Sequence, residues 1–140
     1  MKQVSKVIVI DNEGKYLLMK RSNHPTFPYD YDLAGGTIDQ GEEPIEATVR
    51  ELEEEIGIKV QPEELILFHT DTSFSQSSTE YFLYVYFAPN RPDITISWEH
   101  ASYEWVEPAG FAKSAEDAED TYMHMVAAAL KEKTPQKNTD

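Results

Sequence analysis

Apolar and polar positions alternate along the chain in stretches short enough to read element by element. Val4–Ile10 is rich in β-branched residues and predicts a strand. Asp11-Asn12-Glu13-Gly14 has the composition of a hairpin turn, so Tyr16–Met19 is expected to return as a second strand. Arg21–Tyr31 carries two prolines and several polar residues and reads as a loop. Leu33-Ala34-Gly35-Gly36 leads towards a further loop ending near Gly41. The clearest helical signal is Pro44–Gly57, where proline suits the first helical position and glycine the end. Ile45, Val49, Leu52 and Ile56 fall within roughly 60° of one another on a helical wheel, so that stripe is expected to be buried.

Leu65–His69 and Glu80–Phe87 read as strands. The second, EYFLYVYF, is apolar on both faces, as expected of a central strand covered on both sides. Asp71–Ser78 between them is polar and Ser/Thr-rich, hence a loop or hairpin end. Ile94–Ile96 and Tyr103–Val106 are candidate short strands. Ala115–Leu130 reads as a second helix with Tyr122, Met125, Val126, Ala129 and Leu130 as its apolar stripe. No internal repeat or linker interrupts the pattern. It predicts one domain over residues 1–130 with a frayed polar tail over 131–140. The fold class is α+β, an α/β/α sandwich with a mixed β-sheet.

Composition narrows the function classes. Hydrophobic residues make up 40% of the 140 residues, enough for a packed core, and no apolar run approaches the length of a membrane span. Lys6 interrupts the first apolar stretch and no small-residue cleavage site follows, so a strand rather than a signal peptide is expected there. The absence of cysteine excludes disulfides, thiolate metal sites and a cysteine nucleophile, and fits a cytoplasmic protein. Twelve Lys and Arg face 26 Asp and Glu, a formal charge of −14. Such a surface repels a nucleic-acid backbone and anionic membranes, so neither is an expected partner.

Most of these carboxylates serve solubility. One cluster stands apart. Glu51, Glu54 and Glu55 share a helical face spanning roughly 100°, away from the apolar stripe. Like charges therefore sit side by side, in the last turns of the helix, where its dipole disfavours anions. A solvated acidic face is the plainer alternative. Against it stand the cost to helix stability, a single basic residue (Arg50) within the helix, and the preference of hard divalent cations for carboxylates. The glycine pair Gly35-Gly36 just before the helix allows a close backbone approach to a ligand or metal.

Residues 36–58 read GTIDQGEEPIEATVRELEEEIGI. This segment resembles the Nudix signature, G-x5-E-x7-R-E-U-x-E-E-x-G-U with U a bulky aliphatic residue. Gly36, Glu42, Arg50, Glu51, Leu52, Glu54, Glu55, Gly57 and Ile58 fill every specified position without a gap. The KRS and YDLAGG segments before the box, and Glu99–Val106 after it, resemble the family's pattern too. Ala34 departs from it, since many members have proline there.

The resemblance implies a Nudix-like sandwich and a pyrophosphohydrolase that uses water to cut a diphosphate linkage in a nucleoside triphosphate or a nucleoside diphosphate derivative, with Mg²⁺, or else Mn²⁺, as cofactor. Glu51, Glu54 and Glu55 would bind the ions, with the Gly36 carbonyl as a further ligand. Arg50 would orient a catalytic glutamate, and Glu42 would be structural or metal-supporting. The general base stays open among Glu54, Glu55 and Glu99. His100 is a candidate base or substrate contact, against the plainer reading of a surface histidine. Arg21 is the candidate phosphate clamp, because guanidinium suits phosphate oxygens. Phe27, Tyr29, Tyr31 and Trp98 are candidates for stacking on a base. No serine lies in a nucleophile-elbow context. The alternatives are a catalytically inactive Nudix-fold nucleotide-binding regulatory module, disfavoured by the intact glutamates, and an isopentenyl-diphosphate-type isomerase, disfavoured because the resembling isomerases use a cysteine. Substrate identity and oligomeric state stay open.

Overall fold

A computed structural model describes residues 1–72 and 78–137. The middle of the predicted polar loop 71–78 and the last residues of the predicted tail lie outside these described residues.

Strand β1 (Lys2–Ile10) organises the sheet. Along its whole length it pairs in parallel with β6 (Thr79–Phe87), from Lys2↔Thr79 to Ile10↔Phe87. Its other edge is shared. β4 (Ala34–Thr37) pairs antiparallel with Val4–Val7, and β2 (Tyr16–Arg21) joins at Ile10↔Tyr16. β3 (Tyr31–Asp32) and β7 (His100–Val106) both pair antiparallel with β2, and β5 (Leu65–Asp71) pairs antiparallel with β6. The sheet is mixed, as expected.

Alternation along β1 and β6 divides the core in two. Val7, Val9, Tyr84 and Tyr86 face helix α1 (Pro44–Ile56), whose Leu52 and Ile56 are fully buried. Ile8, Ile10, Leu83 and Val85 face α2 (Pro108–Asp117) and α3 (Thr121–Glu132), which supply Phe111, Tyr122 and Met125. Side chains on a strand project to opposite faces with period two, so a strand apolar on both faces calls for a cover on each. The result is an α/β/α sandwich.

Three readings need correction. Ala115–Leu130 is not one helix. The chain forms α2 and then α3, and Asp30 accepts hydrogen bonds from the backbone N–H of Glu119 (3.0 and 3.1 Å) and Asp120 (2.9 Å) at the break. Asp120 then caps α3 by accepting from Tyr122 N–H at 3.2 Å. The expected apolar stripe, from Tyr122 to Leu130, lies wholly within α3, and the break falls just ahead of it. Second, Ala34–Thr37 is a strand rather than the approach to a loop, and residues 21 and 31–32 also belong to strands. Third, Ile94–Ile96 is not a strand. Thr95 N–H donates to Ile56 O at 3.1 Å and Ser97 N–H to Glu55 O at 3.0 Å, so this stretch satisfies carbonyls at the end of α1. Among the described residues no helix is long and apolar enough to cross a membrane.

Candidate active site

The site lies where α1 ends over β4. Gly57, in the left-handed region at φ 75°, terminates the helix. The extended stretch bonded to its last carbonyls then delivers Trp98 and Glu99 beside the helix glutamates. β4 passes beneath those glutamates because it is glycine there. A Cβ on Gly35 would sit 2.0 Å from Ser5 O, and one on Gly36 would sit 2.8 Å from Glu51 Oε1. Gly35 also turns its backbone N–H to Glu55 Oε1, at 3.0 Å.

Arg50 gathers the acidic box. Its guanidinium donates to Glu42 at 2.9 and 3.0 Å, to Glu51 Oε1 at 2.9 Å, to Glu54 Oε2 at 3.3 Å and to Thr37 O at 3.3 Å. These hydrogen bonds, with one from Asp39 N–H, hold the Glu42 carboxyl down at about 2. The three helix glutamates are not equivalent. The Glu54 side chain is 58% exposed, the Glu51 side chain 14%, and Glu55 lies almost wholly within the protein. Burial pushes the Glu55 carboxyl up to about 8, with Glu51 and Asp32 adding to that push and Lys6 and the Gly35 N–H opposing it. The predicted acidic face is thus one exposed carboxylate, one half-sheltered and one buried. Glu53, off this face, pairs with Lys59 at 3.8 Å.

Behind Glu55 is a buried polar cluster that sequence reasoning missed. Asp32 meets Lys6 Nζ at 3.1 Å, Arg21 Nε at 3.3 Å, His100 Nε2 at 3.0 Å and the Tyr122 hydroxyl. Burial opposes ionisation of Asp32, but Lys6, His100, Arg21 and Tyr122 outweigh it and hold the carboxyl far below the ordinary range. Lys6 had registered only as an interruption of an apolar run and Tyr122 only as core. The available signal was a lysine at the centre of a β-branched strand, which demands a buried anion.

Two neighbouring cavities open onto the site. The larger, of about 520 Å³, is lined by Gly36, Glu51 and Glu54. The smaller, of about 260 Å³, is lined by Arg21, Ser22, Asn23 and His24. Gly35, Glu55, Trp98 and Glu99 line both. The structure therefore brings Gly36, Glu51, Glu54, Glu55, Glu99, Arg21 and Trp98 together, with Arg50 behind the carboxylates. Trp98 is 85% exposed at the rim. Arg21 is buried and committed to Asp32 and to Asp120, the latter at 3.0 Å. Tyr31 is not part of the group. It lines a separate depression with Lys20 and Tyr103. Phe27 stacks on His24, and Tyr29 is exposed. His100 is buried, not on the surface, because β7 carries it in opposite Arg21.

The donor set is all oxygen, the chemistry that hard divalent cations take. Gly36 leaves open, against the Glu51 carboxylate, the space a Cβ would fill. The residues fit such an ion. Among the described residues no three His, Asp or Glu side chains are already gathered closely enough to enclose one, and Arg50 draws Glu51 and Glu54 to itself.

Comparison with known proteins agrees with this geometry. The NUDIX domain matches residues 1–127. The chain is 37% identical to the nucleoside triphosphatase NudI of Salmonella arizonae, across 74% of this chain and 81% of that one. The E. coli dihydroneopterin triphosphate pyrophosphohydrolase superimposes with a TM-score of 0.67 at 19% identity, covering 92% of each chain. A bifunctional NMN adenylyltransferase/ADP ribose pyrophosphatase from Francisella tularensis, solved with AMP and a manganese ion, superimposes with a TM-score of 0.70 at 18% identity, covering 94% of this chain and 41% of that one. At such identity the two structures establish the fold alone. With the unbroken box at residues 36–58 and a domain match over most of its length, the chain belongs to the Nudix hydrolase family.

Proposed function

We propose that this Nudix pyrophosphohydrolase cuts a diphosphate linkage in a nucleoside triphosphate, with a divalent cation, Mg²⁺ or Mn²⁺, held by Glu51, Glu54, Glu55 and the Gly36 carbonyl. The observation that carries this reading is the cavity in which the helix glutamates face Glu99 over a glycine-floored strand. The Salmonella relative named as a nucleoside triphosphatase supports the substrate class, and the manganese in the Francisella structure supports the ion. When bound, the cation supplies charge stabilisation to the phosphate oxygens and acidifies the attacking water.

The chain's own residues divide the remaining work. Glu99 is exposed, lines both cavities and stands opposite the helix, so it is the proposed proton acceptor. Water attacks phosphorus, its proton passes to Glu99, and the anhydride P–O bond breaks with the electron pair leaving on the departing phosphate. Arg50 keeps Glu51 and Glu54 aimed. Arg21, with its charge shared between Asp32 and Asp120, draws phosphate through its cavity-facing edge, and Trp98 offers a face to the base. Residues 1–130 act as one domain, and the cysteine-free, acidic chain suits a cytoplasmic enzyme without nucleic-acid or membrane partners.

The test is pyrophosphate or phosphate release across nucleoside triphosphates, nucleotide sugars, dinucleoside polyphosphates and ADP-ribose, with Mg²⁺ or Mn²⁺ and after chelation. Triphosphate turnover that chelation abolishes is expected. Full turnover after thorough chelation, or none with any triphosphate, would overturn the reading.

A further inference from the structure

His100 is 5% exposed, yet one of its ring nitrogens is bound and the other is not. The ladder between β2 and β7 shifts register between Lys20 and Arg21, so that His100 faces Arg21 and its ring enters the protein beneath Glu55. Nε2 lies 3.0 Å from Asp32 Oδ2. Asp32 is held ionised and accepts only, so Nε2 carries the hydrogen and donates it. Lys6, Arg21 and Tyr122 fix Asp32 from three other elements, and the ring orientation follows from that. Nδ1 has no hydrogen-bond partner among the described residues, and faces Glu55 Oε2 at 3.8 Å. Glu55 is tied at its other oxygen by Gly35 N–H.

A buried polar nitrogen without a partner is costly and calls for a reason. Active-site hydrogen bonds commonly run long before substrate is bound and tighten in the working complex. We propose that His100 is a positioning residue that acts through Glu55: its ring, locked by Asp32 and set between two carboxylates, carries a hydrogen on Nδ1 as well as on Nε2 when Glu55 is ionised, donates it to Oε2 in the working site and so fixes how Glu55 projects into the shared cavity. The proposal rests on the reading that Glu55 works in that cavity. It gives the buried cluster a task, namely anchoring one carboxylate from the four strands β1, β2, β3 and β7 and from α3.

Three variants separate this role from simple packing. His100→Asn keeps an amide where Nδ1 stands, and His100→Gln keeps one where Nε2 stands. Action through Glu55 predicts that the Asn variant retains about tenfold more kcat than the Gln variant, with KM little changed, because supporting groups of this kind are typically worth 10–100-fold. Packing against Asp32 predicts the reverse order. Glu55→Gln is the third variant. Manganese binding, followed by paramagnetic resonance of the free ion, should weaken about tenfold in His100→Gln but show no further change when that substitution is added to Glu55→Gln. Thermal unfolding of each variant confirms folding. Equal loss of manganese affinity with and without the Glu55 carboxylate, or turnover in the Gln variant matching or exceeding the Asn variant, would overturn the inference. A wild-type chain inert towards triphosphates would instead sink the substrate reading, and the manganese cycle would still decide the role of His100.

Discussion

Arg50 carries one positive charge and donates to the carboxylates of Glu42, Glu51 and Glu54 within 3.3 Å. Removing it frees Glu51 and Glu54 to swing away and leaves like charges adjacent on the helix. Arg50→Ala should therefore lose about 10–100-fold in turnover while the fold persists, since the side chain is partly exposed and supports groups rather than reacting. Steady-state kinetics beside thermal unfolding checks this, and wild-type turnover would remove the orienting role. The same clasp makes a pH prediction. Glu42 is ionised down to about 2 in the folded chain, below its ordinary range near 4.5. A carboxylate with a lowered folded value stabilises the protein fully above its unfolded value. That contribution fades as pH falls from about 4.5 and is gone below about 2. The stability difference between wild type and Glu42→Gln should shrink over this window, as measured by unfolding midpoints; a difference constant with pH would contradict it. The box positions were legible because they are contiguous. The depth of Glu55 was not, because a helical wheel gives direction and says nothing about the strand lying beneath.

β4 illustrates how an element can hide from its pattern. Ala34-Gly35-Gly36-Thr37 has little β propensity and reads as a turn, yet it pairs with β1 from Val4↔Thr37 to Val7↔Ala34. The glycines are there for proximity, with Gly35 at φ 140° and its missing Cβ pressed on Ser5 O. Gly35→Ala should cost about 3 kcal/mol or more, the range for forced backbone strain, and should release Glu55 from the Gly35 N–H. Gly110, in α2 with nothing within 4 Å of its Cβ position, is the internal control. Gly110→Ala should stabilise by about 0.5 kcal/mol. Denaturant unfolding of both variants tests the pair, and similar effects from the two would show that β4 tolerates side chains. The strands β1 and β6 and the helix α1 were readable because period two and period 3.6 dominate them. The break between α2 and α3 was not, because Asp30, which accepts from both backbone N–H groups there, is distant in the chain.

Across the whole molecule, the parts that were legible are local and the parts that were not are assembled. The box spans residues 36–58 and was complete on inspection, whereas Lys6, Arg21, Asp32, His100 and Tyr122 meet only once the sheet and α3 are folded. Net charge offered no guide to them either, because a formal charge of −14 conceals a buried site in which Lys6 and Arg21 are matched to Asp32 and Asp120. The central claim is that the acidic end of α1 is a metal-dependent hydrolytic site and not a solvated surface. Two neighbouring glutamates of the same helix test it most directly. Their side chains are almost equally exposed, at 58% for Glu54 and 56% for Glu53, but only Glu54 lines the cavity. Glu54→Gln and Glu53→Gln remove the same charge and should leave thermal stability unchanged or slightly raised. Turnover of a nucleoside triphosphate at saturating Mg²⁺ should fall by orders of magnitude in the first and stay near wild type in the second. Equal turnover in the two variants, with both folded, would contradict the account.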